Sequence, residues 1–245
     1  MGLPARPACA KLDTGNSLAT NLAGLFLMNE GSGNSSKNLA TSGTAAFAGA
    51  AAPGWNTSDP SVQFRGGASG NSFLNAGTDA AFDRMPTGKF TIVAKINASA
   101  LTTPLGISEK SDGNSVDGFI FGLERNGNLK LTVEKSNSNM RVQSGGDTVR
   151  AGQWVQVAVT WDGTVGTADA AHLYVNGVEQ AKAFSSGGSG TLGFSAATNQ
   201  PFRIGSASFD DFGSFNGKMA YIAVYNGRIL TGPEMTQLDL RLPIW

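Results

Sequence analysis

Cysteine and histidine each occur only once in the 245-residue sequence, as Cys9 and His172. A single cysteine excludes an internal disulfide bond. Together the two residues provide too few ligands for a structural zinc site. Secreted proteins of this size usually contain more cysteine, so we expect synthesis in a reducing cytosol and a free thiol at Cys9.

Charged residues are scarce and balanced: they make up 15% of the chain, with 18 Lys and Arg against 18 Asp and Glu. Without a basic excess to neutralise phosphates, nucleic acid is not an expected partner. No apolar run approaches the ~20 residues of a membrane-spanning helix, so membrane insertion is not expected. The N-terminal residues also lack the apolar core of a signal peptide.

Alternating apolar and polar residues dominate what is present, separated by turns rich in the 33 glycines. Residues 89–96 and 154–161 alternate most regularly, and Val155, Val157, Val159 and Trp161 share the face that we expect to be buried. The dipeptides Asn126-Gly127 and Asn176-Gly177 each separate two such runs, which is a strong hairpin signal. Many short strands with frequent turns predict an all-β, two-sheet antiparallel β-sandwich.

Only residues 231–240 have a helical pattern. Thr231 can cap a helix, Pro233 suits its first turn, and Glu234 completes a capping box with Thr231. We therefore predict one short C-terminal helix. Residues 1–21 show no period and are predicted to form an arm that orders only when docked. Residues 22–245 are predicted to form a single sandwich domain.

Six stretches in order resemble the laminin-G-like domains of the concanavalin A-like lectin/glucanase superfamily. They are LFLMNEGSG (25–33), KFTIVAKI (89–96), GQWVQVAVTWDG (152–163), HLYVNG (172–177), FRIG (202–205) with the stretch 215–226, and the helical segment 231–238. The resemblance implies a jelly-roll sandwich of the concanavalin A-like type. It does not fix a function, because this architecture carries glycoside hydrolases, lectins and adhesive modules.

Catalytic carboxylates are the first chemistry to consider in such a family. Retaining glucanases of this fold carry two carboxylates on one strand face, in a Glu-x-Asp pattern. No Glu in this chain is followed two residues later by Asp, and Glu109 and Asp112 would lie on opposite faces of a strand. We therefore expect a protein that is not an enzyme.

Calcium and sugar ligands are the remaining candidates. The resemblance implies a rim calcium site in many relatives, but two of its usual acidic positions fall on Arg65 and Ala220. Asp210 and Asp211 are the best remaining metal ligands, with a solvated turn as the alternative, so we expect no cofactor unless a structural Ca²⁺ binds there. Candidate sugar platforms are Trp55, Phe209, Phe212 and Phe215, although the three Phe residues could instead pack under their own loop.

Two functions follow as competing expectations. The first is a structural or adhesive protein on the surface of a phage virion, a capsid decoration or fibre protein that is assembled in the cytosol. Its partners would be capsid or tail proteins and further copies of itself, docked through Cys9, Leu12, Ile244 and Trp245. The alternative is an extracellular carbohydrate-binding module or lectin of a secreted protein. A host glycan is a possible ligand in both cases.

Overall fold

A computed structural model of the chain describes residues 11–56, 58–83, 85, 88–111, 117–135, 140–146, 148–164, 167–186, 200–208 and 211–241. Within them the strands are β1 (Leu22–Phe26), β2 (Ser35–Lys37), β3 (Thr44–Ala48), β4 (Gly54–Asn56), β5 (Ser61–Arg65), β6 (Phe73–Asn75), β7 (Phe90–Ala98), β8 (Leu105–Ser111), β9 (Asp117–Leu123), β10 (Leu129–Lys135), β11 (Met140–Ser144), β12 (Val155–Trp161), β13 (Ala171–Val175), β14 (Val178–Glu179), β15 (Lys182–Ser186), β16 (Arg203–Ile204) and β17 (Asn216–Asn226). The helices are α1 (Ala80–Asp83) and α2 (Gly232–Arg241).

The strands form two antiparallel sheets, which we call sheet A and sheet B. Sheet A has 8 strands in the order β14-β13-β12-β7-β17-β5-β4, with β1 also paired to β17. Sheet B has 9 strands in the order β15-β11-β10-β9-β8-β16-β6-β3-β2. The predicted fold class, an all-β two-sheet sandwich with one short C-terminal helix, is confirmed.

The core lies between the sheets and has the predicted alternation. Val155, Val157, Val159 and Trp161 of β12 face it, and residues of β9 and β10 meet them from sheet B. Phe90 connects the two layers, with ring centroids 5.5 Å from Trp161 and 4.8 Å from Phe119. Apolar burial between two inner faces is the main source of stability in such a sandwich.

The two Asn-Gly hairpins are confirmed. Between β13 and β14, Asn176 and Gly177 both have positive φ angles, of 49° and 75°. Two consecutive residues of this kind define the two-residue turn that matches strand twist, and Asn followed by Gly adopts it most readily. Asn126-Gly127 connects β9 to β10 through a slightly longer turn.

The outer face of sheet A is covered by the two ends of the described chain. Met235 and Leu238 of α2 pack with Leu18 onto Val93, Ala158, Tyr221 and Tyr225 of the sheet. Gln156 donates to the Met235 carbonyl at 2.7 Å, and the Tyr225 hydroxyl donates to the Leu18 carbonyl at 2.9 Å. Residues 12–20 of the predicted arm are thus packed on the sandwich itself.

Helix α2 begins one residue after the predicted cap. Thr231 N donates to a Glu234 carboxylate oxygen at 2.8 Å, and Glu234 N donates back to Thr231 Oγ1 at 3.4 Å, as the capping-box pattern predicts. The short helix α1 was not predicted, because one turn is too short to show a period. Among the described helices, none has the length and apolar character needed to span a bilayer.

Candidate functional site

Three loops meet at one rim of the sandwich and enclose a groove of about 500 Å³, which we call the rim groove. Residues 67–69 follow β5, residues 102–103 connect β7 to β8, and residues 211–213 with Asn216 lead into β17. This volume lies within the range of small-ligand sites, about 300–1,000 Å³. The groove is therefore large enough to hold one or two sugar rings.

The lining of the rim groove is rich in hydrogen-bonding groups. Ser69, Thr102 and Thr103 contribute hydroxyls, Asn216 an amide, and Asp211 an exposed carboxylate. Among the described lining residues, Asp211 carries the only charge. Hydroxyls, amides and carboxylates are the groups that bind hydroxyl-rich ligands.

One segment ties the three loops together. We call it the strap: residues 205–208 and 211–215, between β16 and β17. Ser214 N donates to the Gly67 carbonyl at 3.1 Å, and Ser206 Oγ accepts from Gly70 N at 2.9 Å. Gly213 N donates to the Pro104 carbonyl at 3.1 Å. The strap thus determines how the walls of the groove are spaced.

Phe212 fixes the strap to the outer face of sheet B. Its side chain is only 4% exposed and packs with Ile120 and Ala207 in a small cluster apart from the main core. The ring lies against Gly122 of β9, with the Lys130 ammonium 5.2 Å from the ring centroid. The ring forms a wall at the base of the groove and does not offer an open face for stacking.

A buried carboxylate holds the strap at a second point. Glu109 of β8 is 1% exposed, and its Oε2 accepts from Ser208 N at 2.6 Å and from Ser208 Oγ at 2.7 Å. Its Oε1 pairs with Arg203 Nη1 at 3.0 Å. Burial raises the pKa of Glu109 above its ordinary value, while Ser208 and Arg203 act in the opposite direction. Sequence reasoning considered Glu109 only as half of a catalytic pair and missed this role.

The predicted sugar platforms lie in different parts of the molecule. Phe212 lines the rim groove beside Asp211, the predicted metal ligand, but its buried ring offers no open face, so the structure corrects its predicted role as a sugar platform. Trp55 lies on the edge strand β4, half-buried 5.1 Å from Phe47, with Nε1 donating to the Gly33 carbonyl, and does not line the groove. Phe209 lies outside the described residues.

For Phe215 the structure corrects the prediction. The side chain is fully buried in the main core and contacts Phe64 edge to face, with centroids 6.0 Å apart. Phe215 immediately precedes β17, and its ring packs into the main core between the sheets, where apolar burial is favourable. A ring with no exposed surface cannot serve as a platform for a sugar.

The metal prediction rests on Asp210 and Asp211, of which Asp210 lies outside the described residues. No group of three or more His, Cys, Asp or Glu residues comes together in the part of the chain that the structure describes. Calcium takes six to eight oxygen ligands, usually including carboxylates. The described groove lining supplies one carboxylate and does not by itself form such a cage, so calcium binding stays a prediction.

Of the predicted docking residues, only Leu12 is described. It is half-buried and packs against the apolar cluster on the outer face of sheet A, so its side chain contacts its own domain. Cys9, Ile244 and Trp245 lie outside the described residues.

Fold and groove together define a lectin-like β-sandwich with a polar rim site. Residues 67–235 match the family model described as the concanavalin A-like lectin/glucanase superfamily. The chain belongs to this superfamily, as the sequence resemblance implied. No curated protein matches this chain in sequence.

Several solved structures share the fold. The CBM40 domain of Ruminococcus gnavus IT-sialidase, bound to α2,3 sialyllactose, is 14% identical with a TM-score of 0.53, covering 73% of this chain and 95% of that domain. Domain 4 of AbnA, an extracellular GH43 arabinanase from Geobacillus stearothermophilus, in complex with arabinotriose, is 19% identical with a TM-score of 0.56, covering 89% and 98%.

A third similar structure is the binding domain of botulinum neurotoxin DC in complex with rat synaptotagmin II. It is 11% identical with a TM-score of 0.61, covering 91% of this chain and 52% of that one. At such low identities the likeness concerns the fold alone, and the fold serves both glycan and protein recognition.

Proposed function

We propose that this chain is a non-catalytic glycan-binding domain and that the rim groove is its binding site. The single observation that carries the proposal is the composition of the groove: three hydroxyl side chains, an amide and one carboxylate on loops that the strap ties together. Binding sites are commonly built on loops that a rigid sandwich positions. Two of the structurally similar proteins are described with bound sugars, which supports glycans as the ligand class.

The charge of the groove favours a neutral glycan. Asp211 is the only charged side chain among the described lining residues, and its carboxylate accepts hydrogen bonds from sugar hydroxyls. An anionic sugar would place a second carboxylate beside it, which repels the first. We therefore expect neutral oligosaccharides to bind more tightly than sialylated ones.

The biological setting stays a prediction in both forms given by the sequence. In one, the domain is part of a phage virion surface, docked on capsid or tail proteins as a homo-oligomer. In the other, it is an extracellular lectin module of a secreted protein. Glycan binding at the rim groove is compatible with either setting and can be tested without deciding between them.

The test is a glycan array followed by calorimetric titration, with arabinotriose and α2,3 sialyllactose as a neutral and an acidic probe. In the Asp211→Asn variant, affinity for the bound neutral glycan should fall on the order of tenfold, because hydrogen bonds from sugar hydroxyls to a charged carboxylate become weaker bonds to a neutral amide. Asn tolerates the positive φ of 62° at this position, so the loop conformation is retained.

Asp169→Asn is the matched control, because the Asp169 side chain is 92% exposed and does not line the groove. Its affinity should equal that of the wild type. The proposal is wrong if the wild-type domain binds no glycan, or if Asp211→Asn and Asp169→Asn bind equally well.

A further inference from the structure

The strap crosses the outer face of sheet B before it reaches the rim groove. Two glycines on neighbouring strands and the carboxylate of Glu109 contact it there. Gly106 of β8 and Gly122 of β9 are cross-strand partners. A Cβ atom on Gly122 would lie 2.5 Å from the Phe212 ring, and one on Gly106 would lie 2.6 Å from Ala207 N. The strap therefore lies directly on the backbone of these two strands, closer than any other residue type would allow.

We propose that Glu109 is the positioning residue of the rim groove: it holds the strap on sheet B and thereby sets Asp211 and Phe212 in the groove wall. This inference rests on the proposed function of the groove. Glu109 itself does not line the groove, so its effect on a ligand would be exerted through the strap.

The side-chain hydrogen bonds of Glu109 support this role, because one comes from the strand that leads into the strap and the other two come from the strap itself. Arg203 lies on β16, immediately before the strap, and is the cross-strand partner of Glu109. Ser208 lies within the strap and donates both its backbone N–H and its hydroxyl to the same carboxylate oxygen. One carboxylate thus binds both β16, from which the strap starts, and the strap that carries Asp211 and Phe212.

The burial of Glu109 makes these contacts specific. A buried carboxylate is unfavourable unless it is paired and hydrogen-bonded, so the strap conformation that brings Ser208 to Glu109, beside Arg203 of β16, is selected over others. Charge-assisted hydrogen bonds are short and directional, and the Ser208 contacts of 2.6 and 2.7 Å fit that description. A binding site needs such support to hold its groups within about 0.5 Å of their working positions.

The experiment compares wild type, Glu109→Ala, Glu109→Gln and the control Glu179→Ala in the full chain. Glu179 is an exposed carboxylate on β14 whose partner is His172, away from the groove. Two quantities are measured: affinity for the neutral glycan that the wild type binds, and amide hydrogen exchange without ligand at residues 205–208 and 211–215 against β12.

We expect Glu109→Ala to speed exchange in the strap by tenfold or more and to weaken glycan binding on the order of tenfold, while β12 exchanges within twofold of wild type. Glu109→Gln keeps the side-chain length and one carbonyl acceptor for Ser208, so it should recover part of both losses. Glu179→Ala should change neither. Partial recovery separates positioning from general destabilisation, which would also speed exchange in β12.

The inference is overturned if strap exchange in Glu109→Gln and Glu109→Ala equals that of wild type. It is also overturned if the strap opens while affinity stays within twofold. If the wild type bound no glycan, the proposed function would fail, and the exchange data alone would still decide whether Glu109 holds the strap.

Discussion

The outer faces of the two sheets are covered in different ways. On sheet A, α2 and residues 12–20 bury a continuous apolar layer around Tyr221 and Tyr225. On sheet B, the strap covers a smaller area through a cluster of three buried apolar residues and the carboxylate of Glu109. The cover of sheet A buries the larger apolar area, to which hydrogen bonds such as those of Gln156 and Tyr225 add, whereas the strap buries little apolar area and depends more on directed polar contacts.

The two covers therefore contribute differently: the cover of sheet A mainly stabilises the fold, and the strap on sheet B mainly positions the rim groove. Apolar burial scales with area and tolerates small shifts, so most of the free energy from the cover of sheet A comes from contacts that do not fix single atoms closely. Directed hydrogen bonds contribute less net free energy but fix geometry. The cover that depends more on such bonds is the one that leads into the rim groove, where a binding site requires fixed geometry.

The largest expected effect comes from breaking the apolar cover. Leu238 of α2 is fully buried against sheet A. In Leu238→Ala, the free energy of unfolding should fall by about 2–5 kcal/mol, because transfer free energy is lost and a cavity remains. Chemical denaturation measures the change, and Val178→Ala, at a side chain 64% exposed, is the control. Glycan affinity of the folded Leu238→Ala variant should be unchanged, and a loss of affinity would contradict the separation.

A substitution beneath the strap on sheet B should lower the free energy of unfolding by less than Leu238→Ala does. Unlike Leu238→Ala, it should weaken glycan binding. In Gly122→Ala, the new Cβ would clash with the Phe212 ring and with the Leu105 carbonyl, so the strap must shift. We expect a cost of about 1–3 kcal/mol, typical of overpacking, together with weakened glycan binding. Gly146→Ala is the matched control, because a Cβ there meets nothing within 4 Å. Equal glycan affinity of the two variants would show that the contact between the strap and Gly122 does not affect binding in the rim groove.

These two faces also show how far the sequence could predict the structure. The period-two alternation of β7 and β12 predicted which residues face the core, and the capping box predicted α2, because both depend on local spacing. The packing of residues 12–20 on sheet A was not predictable, since Leu12 and Leu18 show no period and Tyr225, which donates to the Leu18 carbonyl, lies 207 residues further along the chain.

Prediction of the site was partial for the same reason. The aromatic and acidic loop indicated Asp211 and Phe212, but Phe215 in the same loop is buried, because only the three-dimensional path decides which ring points inward. Glu109 gave no local signal. Its partners Arg203 and Ser208 lie about 95 residues further along the chain and meet it only through the pairing of β8 with β16.

The two covers should also respond to pH in opposite directions. Burial raises the pKa of Glu109 above 4.5. The stability that arises from this pKa shift is fully present below pH 4.5 and is lost as the pH rises through the raised value. Partial burial also acts to raise the pKa of Glu234, but hydrogen bonds from Thr231 and the Arg228 guanidinium outweigh it, and the pKa lies below 4.5. Its contribution is present above pH 4.5 and is lost as the pH falls below that value.

Thermal unfolding between pH 3 and pH 8 checks this contrast in wild type, Glu109→Gln and Glu234→Gln. The stability of wild type relative to Glu109→Gln should decrease as the pH rises above 4.5. The stability of wild type relative to Glu234→Gln should decrease as the pH falls below 4.5. If both stability differences changed with pH in the same direction, one of the two carboxylates would not titrate as its surroundings indicate.

The smallest effect is expected where α2 begins. Thr231→Ala removes the hydroxyl that accepts from Glu234 N and leaves an N–H at the first turn of the helix without its side-chain partner. The free energy of unfolding should fall by about 1 kcal/mol, less than for Leu238→Ala, because the apolar face of the helix stays in place. Thr236→Ala, at an exposed position of the same helix, should stay within about 0.5 kcal/mol of wild type. If Thr231→Ala cost as much as Leu238→Ala, the cover of sheet A would depend on directed contacts after all, and the contrast with the strap would disappear.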